Sequence, residues 1–136
     1  MAVNKDQQLL DVLEAQRSEA LACFQKVCAR IAHTNTILIQ LGQTDEEPDP
    51  AYQSLGVDML WRNWIERRRT AIMYELARLH AEREDAAQRL KRANGRAKAF
   101  EAVLKKQQSS RQLVANRKLA AGLTDLVVSH NLVARR

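Results

Sequence analysis

Apolar side chains return every seventh residue over most of this chain, and that repeat restricts it to very few folds. From residue 3 to residue 41, Val3, Leu10, Phe24, Ile31 and Leu38 share one heptad position, with Leu13, Ala20, Val27 and Leu41 three residues further on. Arg17 and Thr34 interrupt the series. A second run puts Ile65, Ile72, Leu79, Ala86, Ala93, Phe100, Val114, Ala121 and Val128 at one position and Leu76, Leu90, Ala97 and Leu104 at the other. A 3,4 alternation kept over this distance holds a narrow stripe toward a partner helix, which is the signature of a coiled coil. Composition agrees: only 4% of the residues are aromatic, and just four glycines and two prolines interrupt a chain of 136 residues. A compact globule would centre on aromatic and β-branched side chains, whereas Ala, Leu, Gln, Arg, Lys and Glu favour long helices.

Between the two runs lies GQTDEEPDPAYQSLG, residues 42 to 56, with both prolines and four acidic residues bracketed by Gly42 and Gly56. Pro48 and Pro50 donate no backbone hydrogen bond and restrict the residues before them. The expectation is therefore an all-α fold, an antiparallel two-helix coiled-coil hairpin forming one domain over residues 1–136. Helix 1 is expected over about 4–42, a Pro-containing hairpin over 43–57, and helix 2 over about 58–131, with Asp58 as its N-cap. At 1.5 Å per residue the second helix would reach on the order of 110 Å and the first about 60 Å. Folding back sets helix 1 against roughly residues 60–97 and leaves the chain beyond Asn94 and Gly95 without an intramolecular partner. That tail is nonetheless apolar, with Leu113, Val114, Leu119, Leu123, Leu126, Val127, Leu132 and Val133. Such a stripe is either a binding surface for another protein or a self-association surface.

Charge is unevenly distributed. Residues 1–50 carry four Lys and Arg against eight Asp and Glu, a balance of −4, while residues 51–136 carry eighteen against eight, a balance of +10. The basic part suits an acidic protein surface, nucleic acid or anionic lipid. Its cations, Arg78, Arg83, Arg89, Arg92 and Lys105 among them, are spread through the heptads and interleaved with Glu75, Glu82, Glu84 and Glu101. A basic zipper would instead gather them ahead of its heptads, so no nucleic-acid partner is expected. A narrow apolar stripe also disfavours lying on a membrane, and no run approaches the roughly 18 apolar residues needed to span one. The N-terminal MAVNKDQQLL lacks the pattern of a signal peptide. A cytoplasmic protein without direct membrane insertion is expected.

Nothing in the sequence gathers a reactive site. The glycines are scattered and none precedes the Lys-Ser or Lys-Thr of a phosphate loop. His33, His80 and His130 stand apart; His80 and Glu84 lie one turn from each other and lack a third ligand. Cys23 and Cys28 lie five residues apart on one helix, too far for a disulfide, and read as buried apolar residues. The expectation is a non-enzymatic protein with no cofactor, no metal and no catalytic residues.

An acidic-leaning first helix, a Pro-containing hairpin, aromatic residues opening a longer second helix and the segment LVANR at Leu113 to Arg117 together resemble the FliJ-type coiled-coil protein of bacterial flagellar export and its counterparts in virulence type III secretion. The resemblance covers nearly the whole chain. Helix 1 lines up from Leu10 and Leu13 onward, the stretch from Trp61 onward aligns without a gap, and the difference in length falls in the hairpin. It implies a stalk-like hairpin, peripheral to the inner-membrane export apparatus. One end inserts in the hexameric ring of the export ATPase and promotes its assembly and activity. The hairpin side touches the cytoplasmic domain of the export gate, and export chaperones are a further class of partner. Carried onto this sequence, the gate contact corresponds to Leu38 and Leu41 late in helix 1 and to Trp61 and Ile65 early in helix 2. The ATPase contact corresponds to Leu113, Asn116, Arg117, Leu119 and Leu123. The chain departs from the family where Gly42 ends helix 1 early, where Arg68 replaces a small residue, and in its more apolar tail. The alternatives are a coiled-coil export chaperone or adaptor and a self-assembling structural coiled coil.

The stretch LWRNWIERRR, residues 60 to 69, sits where the hairpin ends. Its tryptophans either plug the end of the coiled coil, or Trp64 caps it while Trp61 projects as an anchor for a partner.

Overall fold

In the computed structural model, residues 2–43 and 56–135 are described, and they form two long helices: α1 over Ala2–Gln43 and α2 over Val57–Ala134. The chain is an all-α, antiparallel two-helix coiled-coil hairpin whose second helix is the longer. Both helices run slightly beyond the expected limits. Gly56 precedes α2 at a φ of 71°, a left-handed conformation that costs glycine little, and Asp58 therefore falls inside the first turn. The proline turn expected around Pro48 and Pro50 lies outside the described residues.

The chain divides into two compact units, Glu14–Asn94 and Met1–Leu13 with Gly95–Arg136. In the first unit the core is the heptad seam itself. Ile31 and Leu41 of α1 cluster with Ile65, Ile72, Leu76 and Leu79 of α2, and Val27, Ile37 and Leu38 pack against them. Ile65 and Leu79 are each 1% exposed. The interruptions in the repeat are accommodated in two ways. Arg17 is exposed, its charge left in water, whereas Thr34 is half-buried and donates its hydroxyl to the Arg30 carbonyl at 2.8 Å, satisfying a polar group that burial would otherwise penalise.

A cluster of four charges crosses the same interface. Arg30 of α1 lies 3.8 Å from Glu75 and 3.6 Å from Glu82 of α2, and Arg78 pairs with Glu75 at 2.6 Å and with Glu82 at 3.5 Å. Arg30 and Arg78 are exposed and Glu75 and Glu82 half-buried, so screening by water limits what the cluster adds to stability.

In the second unit the first turns of α1 meet α2 further along than expected. Asp6 and Gln7 share an open groove of about 300 Å³ with Leu104, Gln107, Gln108 and Arg111, and Leu104 is the last half-buried residue of α2. The predicted pairing, ending near residue 97, was thus too short by about two turns. The cysteines also differ from expectation. Cys28 is half-buried, but Cys23 is exposed, because it lies one residue outside the stripe that Phe24, Val27 and Ile31 define.

Candidate functional site

Among the described residues, exposed apolar side chains gather most densely on two stretches of α2. The first opens α2. Extended backward from Ile72 and Ile65, the inward heptad positions are Arg62 and Asp58, and these carry an ion pair at 3.4 Å instead of apolar side chains. The apolar residues of this turn stand off the seam: Val57, Met59, Leu60, Trp61 and Trp64 are all exposed. Trp61 and Trp64 stack on each other with ring centroids 5.2 Å apart and planes inclined by 20°. At 43% and 52% exposed, neither ring is buried in the hairpin as a plug would be. Arg69, at a seam position, is half-buried and reaches Glu66 at 2.7 Å, while Arg67 and Arg68 are exposed beside the tryptophans.

The residues matched to the gate contact therefore separate into two groups. Leu41 and Ile65 are core, and Leu38 packs against that core; Trp61 alone among the four presents a large exposed surface. Met59 and Leu60, more exposed than either tryptophan, lie off the heptad positions and are invisible to the repeat. The signal was there: at Asp58 and Arg62 the inward positions turn polar while their neighbours turn apolar.

The second surface is the tail. Every residue from Lys105 to Arg135 is exposed, although α2 continues unbroken to Ala134. Leu113, Asn116, Arg117, Leu119 and Leu123 are all accessible, and so are Val114, Leu126, Val127, Val128, Leu132 and Val133. The seam that packs on α1 does not carry on through this region. Of its two positions, the one holding Leu90, Ala97 and Leu104 continues as Arg111, Lys118 and Asp125, and only the one holding Val114, Ala121 and Val128 stays apolar. A new apolar stripe begins instead on the far side, at Leu119, Leu123, Leu126 and Val133. The hydroxyls lying between the stripes are satisfied within the helix, Thr124 donating to the Ala120 carbonyl and Ser129 to the Asp125 carbonyl, each at 2.8 Å.

Among the described residues no group of three His, Cys, Asp or Glu side chains comes close enough to hold a metal ion. His33, His80 and His130 are all exposed, and Glu84, beside His80, accepts a hydrogen bond from Gln88 at 3.4 Å. Among the described residues no helix is long and apolar enough to cross a membrane. No family model, curated protein or solved structure matches the chain.

Proposed function

We propose that this protein is a non-enzymatic, stalk-like component of a bacterial type III (flagellar-type) export apparatus, binding the hexameric export ATPase through its tail and the cytoplasmic domain of the export gate through the start of α2. The observation that carries this reading is the stretch from Lys105 to Ala134. It is helical, rich in leucine and valine, and wholly exposed. A helix with so many apolar side chains in water is a surface suited to another molecule. The FliJ-type resemblance assigns that molecule to the export ATPase, with Leu113, Asn116, Arg117, Leu119 and Leu123 in contact.

At the other surface Trp61 is the anchor, and the exposed Met59 and Leu60 enlarge it. Leu38, Leu41 and Ile65 act from behind by fixing the end of the coiled coil on which Trp61 is mounted. Such a protein works in the cytoplasm at the inner membrane, with export chaperones as further partners.

The hydrolysis rate of the export ATPase from the same organism, with and without this protein, tests the proposal, together with the light-scattering mass of the mixture. A higher rate and a hexamer-sized complex containing this chain are expected. An unchanged rate, with this protein forming fixed homo-oligomers alone, would overturn it in favour of a structural coiled coil. Capture of unfolded export substrates with no effect of nucleotide would favour a chaperone.

A further inference from the structure

We infer that the C-terminal turns of α2 are gripped from two opposite sides by an acidic, apolar-lined cleft of a partner protein, not laid into a groove along one face. The inference rests on the proposed function for the identity of that partner, and on the tail itself for the mode of contact.

At about 100° per residue, Leu119, Leu123, Leu126 and Val133 form one stripe, and Val114, Val128 and Leu132 form another on roughly the opposite side of the helix. All seven side chains are exposed. Lys118, Asp125 and Ser129 separate the stripes along one edge, whereas on the other edge Arg117, Thr124 and Asn131 share the surface with the exposed Leu113 and Val127, so apolar side chains reach round more than one face of the helix. A helix that docks in a single groove needs one apolar face and gains by keeping the other polar. Here a single groove would leave at least three large aliphatic side chains in water.

Charge identifies the chemistry of the cleft. From residue 105 to the C-terminus the sequence holds Lys105, Lys106, Arg111, Arg117, Lys118, Arg135 and Arg136 against Asp125 alone, a balance of +6. Two copies of the tail brought together would repel, and only an acidic surface complements them. A lipid surface is acidic but flat: it would cover one stripe and leave the other in solvent.

The test measures affinity of the full-length protein for the hexameric export ATPase, using wild type and two triple variants. One variant is Leu119→Gln, Leu123→Gln, Leu126→Gln; the other is Val114→Gln, Val128→Gln, Leu132→Gln. Glutamine is a good helix former, and circular dichroism checks that the tail stays helical. If helix signal drops, the corresponding alanine variants take their place. Each triple is expected to weaken binding by at least about tenfold, and wild-type binding should weaken between about 0.1 M and about 1 M salt as charges are screened. If one triple binds as wild type does, the two-sided grip is wrong while the stalk reading stands. If wild type does not bind the ATPase, both fall. A stable dimer of the protein alone that either triple abolishes would make the occupant a second copy and overturn the inference.

Discussion

Side chains of one chemical type have opposite surroundings in this protein, and heptad position alone does not decide which, since Val114 and Val128 keep the seam position of Ile65 and Leu79 and are exposed. Leu79 is 1% exposed within the core cluster and Leu119 is 67% exposed on the tail. Leu79→Ala is expected to cost about 2–5 kcal/mol, the range for emptying a buried leucine site, whereas Leu119→Ala should stay within about 0.5 kcal/mol. Denaturant unfolding followed at the helix signal checks both, and a comparable loss at Leu119 would mean that the tail is covered in solution. Trp61→Ala belongs to the same scale. Stacking on Trp64 at 5.2 Å with almost half its surface in water, Trp61 should contribute only about 0.5–1.5 kcal/mol. Its near-ultraviolet dichroism should change strongly, and gate binding should be lost. A stability loss several times larger would return the tryptophans to the role of a plug. Leu41 and Ile65 were legible from the sequence as seam positions, but their inclusion in a partner contact came from resemblance, and the structure keeps their side chains inside the hairpin.

At the scale of the helices, the repeat revealed almost everything that α1 and α2 bury. Ile65, Ile72, Leu79, Ala86 and Ala93 are all buried at the position where the spacing put them. Register was harder to read, since a heptad repeat matches itself after any shift of seven residues. What distinguishes one shift from another here includes the charge cluster of Arg30, Glu75, Arg78 and Glu82, which no pattern of apolar residues reveals. The hydrogen bond from Arg78 holds the Glu75 carboxyl below its ordinary value, with the charges of Arg78 and Arg30 adding to it and desolvation opposing it. A carboxylate whose folded value is depressed contributes stability above its unfolded value, and that contribution disappears as pH falls through the folded one. Glu75→Gln should therefore lower the thermal midpoint slightly at about pH 7 and by less at about pH 3, as the wild-type carboxyl begins to take up its proton. High salt should shrink the neutral-pH difference. An equal difference at both pH values would assign the effect to packing of the side chain and not to its charge.

Over the whole molecule, burial and the proposed binding fall on different stretches of chain. Among the described residues the buried apolar side chains lie between Ile31 and Ala97, while the exposed tail lies after Leu104. The existence of that tail was legible from unequal helix lengths. The second apolar stripe on its outward side was not, because a repeat scored in one frame overlooks a stripe that starts in another. Truncation after Gln112 separates the two roles. It removes residues 113–134, which are 22 of the 120 residues in α1 and α2 (42 and 78), so the helix signal should drop by about a fifth. No buried side chain goes with them, and the unfolding free energy of the remaining hairpin should change by no more than about 0.5 kcal/mol. The tail keeps its helix because it grows from turns already formed, avoiding the nucleation that makes isolated short helices marginal; its amides should accordingly exchange much faster than those around Leu76 and Leu79. The same truncation should abolish stimulation of the export ATPase and leave gate binding through Trp61 intact. Stimulation that survives it would move the ATPase contact onto the hairpin, and a collapse of hairpin stability would mean that the tail's leucines and valines are already buried against this chain or another copy of it.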